Sequence, residues 1–366
     1  MILPCTLLST GLSIVCSLII AGCSRDEAIR IGIVVGADGM KGARLAAESL
    51  NAAGGVRGRP VELVVLEGQW LTSAEMAIRA ADSLSGRRDI LAVIGHANSS
   101  ASLAAAQVYN ANRVVQIAPN STSPLMRSAG PYTYRMVGSD AGQASFLVSE
   151  LVRRGRPRTA LFYVNDDYGR PLHDSVAMLA ARAGVPIVLD LPYVELEAFE
   201  DRRAIADTLA RLEPGVVLWL GRALDLEKVL NEVRPHAPGL DVVASDGIGA
   251  VCCEVDRLKR ALAGVSYARL IDPSSQSADL AALRERYSGA RDGFISDQAA
   301  LTYDAVLLLG RAIEEGGANR EAIRRYLDRL AATQTPFHGA AGTTVFDSAG
   351  DARGAYYLDT VRGGAQ

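Results

Sequence analysis

Residues 1–23 contain no Asp, Glu, Lys or Arg. They are mostly apolar and close on Ile20-Ala21-Gly22-Cys23. A stretch without charge that ends in two small residues and a cysteine reads as a signal-peptide core followed by a lipobox-like cleavage site, after which Cys23 is lipidated. Residues 1–22 are then the signal peptide and 23–28 a lipidated linker, and acyl chains hold the mature chain by burying methylenes at ~0.8 kcal/mol each. The positive segment that usually precedes such a core is missing, and an ordinary signal peptide or an anchor helix that stays in place is the other reading. No later apolar run reaches the ~18 residues a spanning helix needs, so membrane attachment falls to the lipid alone.

Cysteine is scarce elsewhere. Of the five cysteines, only Cys252 and Cys253 follow Cys23. An adjacent pair lacks metal-ligand spacing, and no histidine lies nearby in sequence, so no metal site is expected. A vicinal disulfide and two apolar fillers both remain open. The formal net charge is −3, without a basic stripe, which argues against nucleic acid as a partner. There is no HExxH, no GxSxG elbow and no phosphate loop, and Gly247-Ile248-Gly249 lacks the glycine spacing of a dinucleotide site. The four histidines show no triad spacing. No catalysis and no cofactor are therefore expected.

What is present lies chiefly between Leu91 and Pro124. The apolar strand Leu91-Ala92-Val93-Ile94 runs into Gly95-His96-Ala97-Asn98-Ser99-Ser100-Ala101-Ser102. A second, Val114-Val115-Gln116-Ile117, runs into Ala118-Pro119-Asn120-Ser121-Thr122. Leu103 to Asn112 between them reads as a helix. Such a unit makes a right-handed crossover with parallel strands. Both hydroxyl-rich turns then sit at the carboxyl edge of one sheet, where open α/β sheets bind ligands. Ser99 and Ser100 start a helix, so free N–H groups and the positive dipole end point into the same crevice. A small anion such as a carboxylate suits that place; Asn98 or Ser99 acting only as a helix cap is the other reading.

The chain from Cys23 on is long enough for two domains with ample core. Strands read at Ile29–Val35, Val61–Glu67, Leu91–Ile94, Val114–Ile117, Thr159–Val164, Val185–Leu191, Val216–Leu220, Asp241–Ala244 and Val265–Leu270. Helices read between most of them, among them Met40–Ala52, Ser73–Leu84, Gly142–Arg153 and Arg170–Arg182. Near-continuous apolar strands mean that both sheet faces are covered, and the alternation gives doubly wound α/β units. The strand count exceeds one sheet, so two lobes are expected, with a crossing near Met136 to Asp140. Ser275 to Leu330 reads as helices alone. Phe337–Phe346 and Ala355–Thr360 read as strands around the turn Asp347-Ser348-Ala349-Gly350-Asp351.

These residues resemble the periplasmic leucine/isoleucine/valine-binding proteins of ABC transporters. The matching pieces are Ile31-Gly32-Ile33-Val34-Val35, the run Leu50-Asn51-Ala52-Ala53-Gly54-Gly55-Val56-Arg57-Gly58-Arg59-Pro60, Val93-Ile94-Gly95-His96, Ile117-Ala118-Pro119, Pro131-Tyr132-Thr133-Tyr134-Arg135, Asp167-Tyr168-Gly169, Ser245-Asp246-Gly247 and Thr302-Tyr303-Asp304-Ala305. They keep the expected order over nearly the whole mature chain. The resemblance implies a type I periplasmic binding fold: two doubly wound parallel-sheet lobes joined by a three-crossover hinge, with a ligand cleft between them. Lobe 1 is expected to hold residues 29–138 and 271–335, and lobe 2 residues 139–270 and 336–362.

Carried over by position, Ser99 matches the hydroxyl that holds an amino-acid carboxylate, Asn120 a backbone contact, and Thr122 a residue gripping both polar ends. Asp246 matches the acidic residue of the second lobe opposite the ligand ammonium, and Tyr168 a cleft tyrosine. Asp246 before Gly247 also suits a plain turn, and Tyr168 also suits packing at a helix start. His96 reads as structural. Two features depart from the family: Gly36-Ala37-Asp38-Gly39-Met40 is short where a longer loop usually walls the ligand, and Gly221-Arg222-Ala223 stands where a Gly-Gly-Tyr turn is common. Arg222 either forks to an extra acidic group or lies on the rim. The resemblance implies a solute receptor that passes an amino acid or related carboxylate to an ABC permease, in the periplasm or at the cell surface. A ligand-sensing or partner-activating envelope lipoprotein is the alternative on the same fold.

Overall fold

The computed structural model describes residues 28–66, 73–194, 202–249, 255–287 and 294–363. The signal and lipidation readings, and the question of the Cys252–Cys253 pair, lie outside these residues.

The first lobe is built on a five-stranded parallel sheet of β1 (Ile29–Val34), β2 (Val61–Val65), β3 (Ile90–Gly95), β4 (Val115–Ala118) and β5 (Thr133–Arg135), in the order β2-β1-β3-β4-β5. β1, β3 and β4 are buried over most of their length because both faces are covered. One face packs α1 (Ala37–Ala52), α10 (Asp297–Gly316) and α11 (Arg320–Thr333); the other packs α2 (Ala74–Ser85) and α3 (Ser99–Ala111). The glycine run after α1 has the helix-ending role its composition suggests. Gly54 and Gly55 take φ of 99° and 82°, and Gly55 N–H donates to Leu50 O at 2.9 Å. Asn51 then pins the start of β2 through both main-chain groups of Val61, at 2.7 and 3.0 Å.

The second lobe holds a six-stranded sheet of β6 (Thr159–Val164), β7 (Ile187–Tyr193), β8 (Val216–Leu220), β9 (Val242–Ala244), β10 (Ser266–Arg269) and β13 (Tyr357–Thr360). Their order is β13-β10-β9-β8-β6-β7, with β13 alone antiparallel. α4 (Asp140–Arg153) packs beside α5 (Gly169–Ala183), and α6 (Arg202–Leu212) beside α7 (Ala223–Val233). The core centres on Trp219, stacked on Phe162 and Tyr193 with centroids 5.6 and 4.8 Å apart.

Three segments pass between the lobes: one between β5 and α4, one after β10, and one before β13. The last departs from the boundary that the sequence suggests. The resemblance implies that residues 336–352 lie on the second lobe together with β13. Instead β11 (Phe337–Gly339) and β12 (Gly342–Thr344) form a hairpin on the first lobe, where Phe337, Ala340, Phe346 and Ala352 join the core with α10. Two contacts hold them there. Phe346 meets Tyr134 edge-on at 5.8 Å, and both carboxylate oxygens of Asp304 accept the N–H groups of Ala340 and Ala341 at 2.8 Å. The crossing therefore falls at residues 353–356, and only its far side, from Tyr356, packs on the second core. β5 is the other addition to the sequence reading: a three-residue strand is too short to show its period.

Candidate functional site

Strand order reverses between β1 and β3 in the first sheet and between β6 and β8 in the second. A crevice opens outside the carboxyl ends at such a switch point. The turns after β3 and β4 meet those after β6, β8 and β9 across that space.

On the first lobe, Asn98 caps α3: its side chain accepts from Ala101 N–H at 2.8 Å. Ser99 is thus released from capping. Its Oγ accepts from Ser123 N–H at 3.3 Å, tying one hydroxyl-rich turn to the other, and its own O–H remains a donor. Ser102 and Ser121 close the same junction at 2.8 Å. The second turn is held from below by Arg135, which is buried and donates through Nη1 to the carbonyls of Ser121, Thr122 and Ser123 at 3.3, 2.9 and 2.9 Å. Its Nε and Nη2 grip Asp351 bidentately, both at 2.8 Å. So anchored, the turn presents Asn120 and Thr122, whose Oδ1 and Oγ1 are buried without a hydrogen-bond partner among the described residues.

His96 is fully buried, its Nε2 3.2 Å from Tyr109 Oη. Burial holds its pKa down at about 3. It is a neutral packing residue, as its position after a strand suggests.

The second lobe answers with acids and phenols. Tyr168 Oη donates to Asp246 Oδ1 at 2.6 Å and lies 2.9 Å from Ser245 Oγ. Gln143 Nε2, on α4, reaches both Asp246 Oδ1 at 2.7 Å and Asp140 Oδ1 at 2.8 Å, while its Oε1 accepts Asp246 N–H at 2.9 Å. Asp140 is fully buried at the start of α4, and its Oδ2 has no hydrogen-bond partner among the described residues. Asp246 keeps a partly exposed face toward the cleft, although protein surrounds it. Burial, and then the charge of Asp246, lifts the Asp140 carboxyl well above the usual carboxylate range. Burial lifts Asp246 as well, opposed by the hydrogen bonds from Tyr168 and Gln143. Tyr168 and Tyr356 are raised by burial and by these two carboxyls. Two carboxyls and two phenols around one amide form a pocket wall that favours a cation.

The lobes touch beside this wall. Ser123 Oγ donates to Asp167 O at 2.6 Å, Asp167 N–H donates to Ser100 Oγ at 3.3 Å, and Asp140 N–H donates to Thr122 O at 2.8 Å. The structure thus brings together Ser99, Asn120, Thr122, Tyr168 and Asp246 around one cleft. Arg222 is not an open fork. Its Nη2 donates to Asp166 Oδ2 at 2.9 Å, and its guanidinium stacks 4.8 Å from the Tyr168 ring centroid. It braces the tyrosine from behind. Asp140, Gln143, Arg135, Asp351 and Tyr356 escape the sequence reading. The one available signal was Arg135, which ends the Pro131–Arg135 stretch quoted above and suits a buried charge that needs a distant partner.

Two open α/β lobes, three crossing segments and a polar cleft at facing switch points define a two-lobed ligand-binding protein. The chain belongs to the periplasmic binding protein family, whose model matches residues 32–365. It is similar to Leu/Ile/Val-binding protein homolog 1 of Brucella abortus, at 26% identity over 339 residues, 89% of this chain and 87% of that protein. A Pseudomonas aeruginosa amino acid binding protein is 28% identical over 214 residues, which span 57% of this chain and only 55% of that protein. Among solved structures, an ABC transporter substrate-binding protein from Desulfitobacterium hafniense in complex with Leu superposes with a TM-score of 0.76, at 25% identity over 92% of this chain and 98% of that one. The fold is also that of a branched-chain amino acid transporter substrate binding protein from Streptococcus pneumoniae, with a TM-score of 0.80 at 22% identity, covering 93% and 97%. Among the described residues no helix is long and apolar enough to cross a membrane.

Proposed function

We propose that this chain is a lipid-anchored, extracytoplasmic solute-binding protein of an ABC importer, and that its cleft takes an amino acid or a related small zwitterion without chemistry on it. The observation that carries this reading is the juxtaposition of unpartnered polar atoms. Thr122 Oγ1 on one lobe and Asp140 Oδ2 on the other are buried without a hydrogen bond of ordinary length; the Thr122 hydroxyl is near enough to act on the Asp140 carboxyl, and both lie next to Asp246. Such groups normally find partners, and a ligand with opposite charges at its two ends supplies them. The carboxylate goes to the Ser99 and Thr122 hydroxyls and the N–H groups at the start of α3; the ammonium goes to Asp246 with Asp140 behind it. The names of the relatives support an amino acid, and the family supports an ABC permease as partner. A non-transport sensing role is favoured by one feature: α1 begins at Ala37, directly after β1, so no long loop walls that side of the cleft.

The test is a thermal-shift screen of amino acids, small peptides and amine-free carboxylates. A ligand at ~100 times its dissociation constant stabilises the fold by ~2.7 kcal/mol. Asp246→Ala leaves the ammonium unpaired, at ~2–5 kcal/mol or roughly thirty-fold and more in affinity. Ser99→Ala costs less, because the backbone donors remain. Since both carboxyls are raised, affinity for the amine falls as pH drops through their raised range. The reading fails if only amine-free acids shift the protein, or if Asp246→Ala binds as tightly as wild type.

A further inference from the structure

A second cavity, of about 240 Å³, lies away from the cleft, where the second lobe meets the segment after β10. Lys259, Arg269, Arg284 and Arg362 line it against one lining acid, Asp359. Arg269, on β10, is already engaged: its Nε and Nη2 reach Asp297 Oδ1 at 2.8 and 2.5 Å, and its Nη1 reaches Asp359 at 3.3 Å. Arg284 comes from the other lobe, on α9 (Ala278–Arg286), whose Leu280 and Leu283 belong to the first core. Its two Nη atoms donate to the carbonyls of Ser275 and Pro273, both at 3.3 Å. Its Nε is buried and has no hydrogen-bond partner among the described residues. Burial and then the charge of Arg269 pull the Arg284 pKa down. Two guanidiniums, one per lobe, therefore repel across one space. The remaining wall is flat and apolar: Tyr267, Pro273 and Phe294, the last 4.8 Å beneath the Arg269 guanidinium.

We propose that this cavity is a second binding site, for a small organic oxyanion that bridges the lobes beside the hinge. Arg284 offers its guanidinium to the oxyanion from the first lobe; Lys259 and Arg362 add positive charge from the second. The apolar wall takes the organic part. An anion there relieves the repulsion between Arg269 and Arg284. Because its contacts come from both lobes, it favours the lobe angle that keeps both walls in place, and any effect on the cleft is reciprocal.

Calorimetric titration of the full chain with inorganic phosphate and with phenyl phosphate tests this, with sodium chloride at matched ionic strength as the control. Saturable binding is expected for both phosphates, tighter for phenyl phosphate, and at least tenfold weaker in Arg284→Gln. Arg284 also braces two loop carbonyls, so the exposed Arg362→Gln serves as the second variant, with a loss of threefold or more. Asp246→Ala, in the cleft, keeps the full response, which separates this site from the one above. Equal shifts from chloride, or variants that bind phosphate like wild type, overturn the site. Phenyl phosphate no tighter than phosphate overturns the organic ligand.

Discussion

Removing Arg135 tests whether the ligand-facing turn is held from beneath. Arg135→Met keeps the length and apolar stem of the side chain but deletes five hydrogen bonds: two to Asp351 and three to the carbonyls of Ser121, Thr122 and Ser123. Asp351 is left with a buried charge, relieved among the described residues only by Arg127 Nη1 at 3.3 Å from the exposed side. Breaking one partner out of a buried pair costs ~3–5 kcal/mol. Asp351→Leu costs less, since Arg135 keeps its three carbonyls. The double variant Arg135→Met/Asp351→Leu leaves no orphaned charge and loses less than the two singles together, by ~1–3 kcal/mol of coupling. The assay is urea unfolding followed by circular dichroism, with wild type and all three variants at one pH. A loss under ~1 kcal/mol for Arg135→Met, or additivity in the cycle, would refute the account of the turn as a structure fastened by a buried ion pair.

Two further outcomes follow from particular contacts, and a third from the Ala21-Gly22-Cys23 pattern. Gly42→Ala is expected to destabilise by ~1–3 kcal/mol, because its Cβ would lie 2.0 Å from Ala299 O where α1 crosses α10; wild-type stability in a melt would contradict that close approach. Asp304 is pushed up to about 7 by burial despite accepting two N–H groups, so its stabilising contribution is complete below the ordinary carboxylate range and is lost as pH rises through about 7. The stability advantage of wild type over Asp304→Asn should therefore shrink with pH, and a constant difference from acid to neutral pH would count against it. Cys23→Ser should leave an unprocessed, unlipidated precursor in cells; processing and detergent partitioning like wild type would remove the lipid anchor from the proposal.

Much of the fold is legible in sequence because its signals are local. β3 and β4 announce themselves as short apolar runs ended by glycine, proline and hydroxyl residues. The Asn51–Gly58 run shows its helix end because all three of its glycines sit at positive φ, where side chains are strained. The site is less legible because its parts are joined only in space. Arg135 and Asp351 are 216 residues apart, and nothing in either neighbourhood names the other. Asp140 and Gln143 look like the first turn of an ordinary helix; only the fold sets them against Asp246, 103 residues beyond Gln143. The lobe that carries the β11–β12 hairpin is hidden in the sequence for a related reason. An apolar residue such as Phe337 shows that one face is buried, but not which core covers it.

The junction at Asp167 has a consequence for how this chain can vary. Both lobe-bridging bonds there use main-chain atoms, the N–H held by Ser100 and the carbonyl held by Ser123. The side chain of residue 167 takes no part in them. Any amino acid that keeps its amide hydrogen leaves both bonds intact; proline alone removes one of them chemically, the N–H to Ser100, and still offers its carbonyl to Ser123. The fastening is thus written into the two serines and hidden at the aspartate: a scan of position 167 would read as silent, while substitutions at 100 and 123 would alter how readily the two halves part.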